Sequence, residues 1–178
     1  MTAVGDREPD VAADGGPPTE PSGPQAQLAA AIPTPLFGAP DRARGLVVGA
    51  VIALLAIATR FWNLQNPTDH GTPVFDEKHY VPQGWQVLTG GNWIEDNPGY
   101  GLVVHPPVGK WLLAASEGMF GYGPLGWRVA SAVCGVATVV MIYFVVRRMS
   151  RSTLVGAIAG VFAVCDGVLF VQSRMGML

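Results

Sequence analysis

Residues 129–146 read VASAVCGVATVVMIYFVV, a run of eighteen residues without a single charge. As an α-helix this run is about 27 Å long, close to the roughly 30 Å of hydrocarbon in a bilayer. A helix also satisfies its own backbone hydrogen bonds, as a segment surrounded by lipid must. The run therefore predicts a transmembrane helix.

The composition of the whole chain is typical of a membrane protein. Of its 178 residues, 49% are hydrophobic and only 13% are charged, against about 25% charged in an ordinary soluble domain. The formal net charge of -2 argues against a nucleic-acid partner, which would require a basic surface. Two cysteines are too few for a disulfide scaffold. We expect an all-α membrane protein.

Two more apolar stretches, at about residues 45–64 and 153–172, predict further spans. The first reaches the length of a bilayer only if Arg60 faces protein or water. The second contains Asp166, which costs about 2.5–3.5 kcal/mol in a membrane helix unless it has a partner. Because Asp166 precedes Arg174 by about two helical turns, we expect both on one polar strip of a continuous helix, with Asp166 in a structural contact.

The arginines predict the orientation of these three spans. They precede the first span and fill the turn between the second and the third, at Arg42, Arg44, Arg147, Arg148 and Arg151. By the positive-inside rule these regions are cytoplasmic, and the loop over residues 65–128 is external. Residues 1–44 hold eight of the fifteen prolines and six acidic against three basic side chains, a composition that buries too little apolar area to fold. We expect a disordered cytoplasmic tail there and a membrane domain over residues 45–178.

Two amphipathic patterns within the loop predict short helices on the membrane surface. The first covers Glu77 to Thr89 and ends at Gly90, and the second follows Pro107 and ends at Gly121. Their predicted apolar stripes are Val81, Trp85 and Leu88 in the first and Val108, Trp111, Leu112, Ala115 and Met119 in the second. Apolar residues at this spacing share one face of a helix, and such helices lie in the membrane interface.

Charged residues are expected to cluster at one membrane–water boundary of this arrangement. Asp76 and Glu77 form an adjacent pair at the start of the first loop helix, where simple capping of the helix dipole is the alternative to reactivity. Four cations are expected at the same boundary, namely Arg60, Lys110, Arg128 and Arg174. Cations at this depth either have a partner or extend toward the headgroups, and a lipid-linked phosphate is a suitable partner. A nearby carboxylate can accept the proton of an acceptor hydroxyl.

The three histidines, His70, His79 and His105, share this loop with the two carboxylates. No pair of them has the spacing of a zinc motif such as H-E-x-x-H. We therefore expect no cofactor and a metal-free site, with a divalent ion on Asp76 or Glu77 as the alternative.

The strings FDEKHY at residues 75–80, HPPVGK at 105–110 and SR at 173–174 together resemble the protein O-mannosyltransferases, most closely their actinobacterial branch. The resemblance implies a multi-span helical fold of the GT-C type in the cell membrane. It also implies transfer of mannose, with inversion, from polyprenyl-phosphate-mannose to Ser or Thr hydroxyls of secreted proteins. The lipid bilayer and the protein secretion machinery are implied as further partners.

The resemblance also implies roles for individual residues. Asp76 matches the acidic residue that acts as general base, and Glu77 matches the neighbour that shapes the site. The residues expected to contact the donor phosphate or the loop carboxylates are Arg60, His105, Lys110, Arg128 and Arg174. Since family members have many more spans, we expect this chain to be an N-terminal part that is inactive alone. Two alternatives stay open: another GT-C transferase that uses a polyprenyl-phosphate sugar, and a non-catalytic membrane subunit.

Overall fold

The computed structural model describes residues 39–66, 68–91 and 105–176. Over these residues the chain is helical, and its β-structure is an isolated bridge between Asp69 and Thr72. The helices, in chain order, are α1 (Ala39–Phe61), α2 (Glu77–Thr89), α3 (Pro107–Phe120), α4 (Pro124–Ser150), α5 (Thr153–Cys165) and α6 (Gly167–Gln172). The expectation of a helical protein is confirmed. Most of the predicted disordered tail lies outside the described residues, and its last part, from Ala39, is the start of α1.

Two of these helices are long and apolar enough to cross a membrane, over Asp41–Phe61 in α1 and Pro124–Ser150 in α4. The first and second of the three predicted spans therefore correspond to helices. Their shared core with α5 consists of small and branched residues and one aromatic residue, namely Ile52, Ala56, Val139, Ala163, Val164 and Tyr143. A Cβ atom at Gly160 would lie only 3.1 Å from Ile52, so glycine lets α5 approach α1 closely.

The third predicted span differs from the expectation of one continuous helix over residues 153–172. Helix α5 ends at Cys165, and Asp166 is the residue before α6. Its carboxylate Oδ1 accepts a hydrogen bond from the backbone N–H of Leu169 at 2.6 Å, as aspartate commonly does at the start of a helix. The expectation of one continuous helix with Asp166 and Arg174 on a single polar strip is therefore wrong, and the structural contact of Asp166 is a cap at the start of α6. Asp166 is an exposed capping residue at a break between two helices.

Helices α2 and α3 lie where the two loop helices were predicted, with the predicted glycines at their ends. They pack closely, since a Cβ atom at Gly84 of α2 would lie 2.9 Å from Cβ of Leu113 in α3. Val81 and Leu113 form a small core with Trp127 of α4. This core holds the loop helices against the start of α4.

The apolar stripe of α3 is exposed, whereas the apolar stripe of a helix usually faces a protein core. Its predicted members are exposed, with Val108 at 59% and Met119 at 75% exposed. The buried residues of α3 are Lys110, Leu113, Ala114, Ser116 and Glu117. The more polar face of α3 therefore contacts the rest of the protein, and its apolar face is left exposed.

Candidate functional site

The carboxylate of Glu77 is the best-bonded group of the site. Glu77 opens α2 with its side chain fully buried. Arg128 donates from Nε to Oε1 at 2.8 Å and from Nη2 to Oε2 at 2.9 Å. The backbone N–H groups of Val74 and Gly176 donate to Oε2 at 3.1 Å and to Oε1 at 2.7 Å. A buried ion pair of this kind is stable when its remaining hydrogen-bonding groups are also satisfied.

Arg128 connects this carboxylate to a further part of the chain. Its Nη1 donates to the carbonyl oxygen of Leu64, in the segment after α1, at 3.1 Å. The pair between Glu77 and Arg128 thus joins the ends of α1 and α6 to the starts of α2 and α4. Of the two kinds of contact expected for Arg128, the structure contains the one to a loop carboxylate.

The adjacent Asp76 has the opposite environment. It is exposed and precedes α2 without a side-chain capping bond, and its carboxylate has no hydrogen bond or ion pair with the residues that the structure describes. Phe75 just before it has φ of 52° and is 69% exposed. A left-handed backbone is rare for an aromatic residue, and such conformations concentrate at functional sites. Of the two neighbouring carboxylates, Asp76 is thus the one without a bonded partner among the described residues.

His105 is brought to α2 by an aromatic partner. The hydroxyl of Tyr80 and Nε2 of His105 are hydrogen-bonded at 3.0 Å, and their rings meet edge to face with centroids 5.2 Å apart. Tyr80 lies about one helical turn after Asp76 and Glu77. The sequence analysis did not single out Tyr80, although its place in the FDEKHY string is the signal that could have identified it.

Arg60 and Arg174 both bind backbone carbonyl groups at helix ends. Arg60 is fully buried and donates to the carbonyl oxygens of Val164 at 3.1 Å and Ala163 at 3.0 Å. It therefore satisfies the end of α5, where carbonyl groups lack helical partners. Arg174 is half-buried and donates to the carbonyl oxygens of Thr59 and Asn63 at 3.3 and 3.1 Å. Both arginines join α1 to the chain around α5 and α6.

Two ionisable side chains lie on the buried face of α3. Lys110, one of the predicted site residues, is fully buried there, and so is Glu117. Neither carboxyl oxygen of Glu117 has a hydrogen-bond partner among the described residues. Burial raises the pKa of Glu117 to about 8, so this group is mostly neutral at pH 7. The sequence analysis missed Glu117, whose signal is an acidic residue within an otherwise apolar helix.

The remaining two histidines, His70 and His79, are exposed. Across residues 39–66, 68–91 and 105–176 there is no group of three or more His, Cys, Asp or Glu side chains that could hold a metal ion.

Comparison with known proteins shows that this chain is similar to mannosyltransferases. Residues 104–176 match the family model described as dolichyl-phosphate-mannose-protein mannosyltransferase. The polyprenol-phosphate-mannose–protein mannosyltransferase of Mycolicibacterium smegmatis is 60% identical over 147 residues, which are 83% of this chain and 28% of that protein. The protein of the same name from Mycobacterium tuberculosis is 56% identical over 161 residues, 90% of this chain and 31% of its own length.

A more distant relative carries a different name. The undecaprenyl phosphate-alpha-4-amino-4-deoxy-L-arabinose arabinosyl transferase 2 of Pseudomonas fluorescens is 29% identical over 66% of this chain and 22% of that protein. No solved structure gives a significant match. The chain spans 28% and 31% of the length of the two mannosyltransferases described above.

Proposed function

Because this chain belongs by sequence to the protein O-mannosyltransferase family, we propose that it forms part of an enzyme that transfers mannose from polyprenyl-phosphate-mannose to Ser or Thr hydroxyls of secreted proteins. The activity is proposed for a polypeptide that contains this chain, since the chain spans about three tenths of its relatives' length. The observation that carries the proposal is the contrast between the two adjacent carboxylates. Glu77 is buried and fully bonded, whereas Asp76 is exposed and free among the described residues.

In the proposed reaction Asp76 is the general base. A hydroxyl is a weak nucleophile near pH 7, so a carboxylate within hydrogen-bond reach assists by accepting its proton. The hydroxyl oxygen forms a bond to the anomeric carbon of mannose while the bond from that carbon to the phosphate oxygen breaks. The electron pair leaves with the polyprenyl phosphate, and a single displacement of this kind inverts the anomeric centre.

The predicted cations then divide into two roles. Arg128 and Arg60 are fully buried and bonded within the protein, so we propose that they position the loop and the helix ends. Arg174 is half-buried and uses two of its five N–H donors on carbonyl oxygens. It therefore keeps donors for the negative charge that develops on the departing phosphate. His105 and Lys110 are proposed to line the same site.

The chain is a helical membrane protein, and we propose a GT-C arrangement for it in the cell membrane. In this arrangement α1 and α4 cross the bilayer, and α5 and α6 together form a broken third span. Arginines at the start of α1 and the end of α4 favour a cytoplasmic N-terminus. The loop over residues 65–128 then lies on the external face, where secreted acceptors and the secretion machinery are accessible.

A chimera tests this function. The chain would replace the aligned segment of the Mycolicibacterium smegmatis relative, and labelled mannose transfer from polyprenyl-phosphate-mannose would be measured. Transfer to a Thr-rich peptide supports the proposal. Transfer to lipid acceptors alone would indicate a GT-C enzyme of another class, as the similarity to the arabinosyl transferase leaves open. A folded but inactive chimera would indicate a non-catalytic subunit.

A further inference from the structure

The ends of α1 and α4 that lie away from the candidate site are rich in arginine. The described charged residues there are five arginines and one aspartate, namely Arg42, Arg44, Arg147, Arg148, Arg151 and Asp41. At the candidate-site end the described cations and carboxylates are equal in number, with Arg60, Lys78, Lys110, Arg128 and Arg174 against Asp69, Asp76, Glu77, Glu117 and Asp166. The excess of positive charge is thus confined to one end of the helices.

This end contains a cleft of about 370 Å³, lined by Arg42, Phe144, Arg147 and Arg148. Three arginine side chains and one phenylalanine side chain therefore line one open cleft. The cleft lies at the ends of α1 and α4, which are long and apolar enough to cross a membrane. Such helix ends lie at the level of the lipid headgroups.

Arg147 forms the fixed side of the cleft. Its Nη2 donates to Oδ2 of Asp41 at 2.9 Å and to the carbonyl oxygen of Asp41 at 3.0 Å. Its Nε donates to the hydroxyl of Thr153 at 3.0 Å. Gly45 of α1 leaves room for this guanidinium, since a Cβ atom there would collide with it. Arg147 thus holds the ends of α1, α4 and α5 together.

Arg42 and Arg148 form the open side of the cleft. Both are exposed, and neither has a hydrogen bond or ion pair with any residue that the structure describes. Phe144, one turn before Arg148, is 37% exposed. The open side therefore offers two free guanidinium groups beside an apolar ring.

We propose that this cleft binds the headgroup of an anionic glycerophospholipid. Arg42 and Arg148 would donate to the phosphate oxygens, because the planar guanidinium fork matches phosphate geometry. Phe144 would contact the first part of an acyl chain. A basic pocket between membrane helices is the kind of site that recognises anionic headgroups. The proposal is independent of the chemistry at Asp76, which lies at the other end of α1.

Lipid selectivity measured on the full 178-residue chain tests this site. The chain would be reconstituted in phosphatidylcholine nanodiscs, and the association of spin-labelled phosphatidylglycerol and phosphatidylcholine would be compared by electron paramagnetic resonance. A salt concentration of about 0.5 M shortens the Debye length to less than about 5 Å, so that charges away from the cleft contribute little. Circular dichroism would show that each variant keeps its helices.

The double variant Arg42→Gln/Arg148→Gln should lower the selectivity for phosphatidylglycerol by about tenfold or more. The matched variant Arg44→Gln/Arg151→Gln removes the same charge from the same end, outside the cleft lining. It should change the selectivity for phosphatidylglycerol by less than about twofold. Equal losses in the two variants would overturn the proposal. Displacement of the labelled lipid by inorganic phosphate would also overturn it, because the ligand would then be free phosphate.

Discussion

Glu77 and Arg128, 51 residues apart in the chain, form a bidentate ion pair in which both side chains are fully buried. The pair lies directly beside the exposed Asp76, because Glu77 is the next residue. One carboxylate of the Asp-Glu pair thus holds the loop to α4, while the other is exposed and has no bonded partner among the described residues. This division of roles leads to the first prediction.

Glu77→Gln should lower the free energy of unfolding by about 3–5 kcal/mol, because Arg128 would be left buried without a counter-charge. Chemical unfolding of the chain in detergent measures this change. Asp76→Asn is the matched control and should change stability by less than about 0.5 kcal/mol. Similar losses in both variants would contradict the assignment of the structural role to Glu77.

The double variant Glu77→Leu/Arg128→Leu extends the same test. Removing both charges leaves no buried ion unpaired, so the double variant should be more stable than either single leucine variant. A double variant whose loss equals the sum of the two single losses would mean that the two side chains do not interact.

Arg60→Met should destabilise the contact between α1 and α5. The variant keeps much of the side-chain volume but leaves the carbonyl groups of Ala163 and Val164 without their donor. We expect a loss of about 3 kcal/mol in the free energy of unfolding. Arg44→Met, an exposed position on the same helix, is the control and should be nearly neutral. A neutral Arg60→Met variant would show that these bonds are dispensable.

The raised pKa of Glu117 leads to the prediction that the stability of the chain depends on pH. This pKa is raised by burial from 4.5 to about 8, so between these values the folded chain holds a proton that the unfolded chain has released. The free energy of unfolding therefore falls as pH rises from about 5 to 8, by up to about 1.4 kcal/mol per pH unit. Glu117→Gln removes this contribution and should become increasingly stable relative to the wild type over that window. A constant difference between the two proteins from pH 5 to 8 would contradict the prediction.

Tyr80→Phe should lower kcat/KM of the chimeric enzyme by about tenfold or less while its stability changes little. The variant keeps the ring contact with His105 and removes only the hydrogen bond, which is worth about 0.5–1.5 kcal/mol. Tyr122→Phe, whose ring packs between Trp85 and Trp127, should retain full activity. Equal activity of the two variants would show that the hydrogen bond between Tyr80 and His105 does not contribute to activity.

Local sequence signals predicted where the helices of this fold begin and end better than they predicted the contacts between them. The ends of α2 and α3 were predictable because proline and glycine mark them, at Pro107, Gly90 and Gly121. The break in the third span was not predicted, since an aspartate in an apolar run is compatible with either a buried partner or a helix cap. Hydrophobicity alone identified Asp166 as unusual without deciding between the two.

The sequence analysis predicted which residues belong to the site but not which hydrogen bonds and ion pairs they form. The sequence analysis expected Arg128 near a phosphate or a carboxylate, and its pairing with Glu77 depends on how α2 packs against α4. The burial of Lys110 and Glu117 depends on which face of α3 meets the protein. An apolar stripe does not settle that face, because lipid and a protein core attract the same residues.

The most direct measurement is the mannosyl transfer rate of the chimera carrying Asp76→Asn. The substitution removes the proposed base at an exposed position without bonds among the described residues, so unfolding should be unchanged. We predict that kcat falls by about 10²–10⁴-fold. A folded Asp76→Asn enzyme that transfers mannose at the wild-type rate would contradict the assignment of Asp76 as the general base.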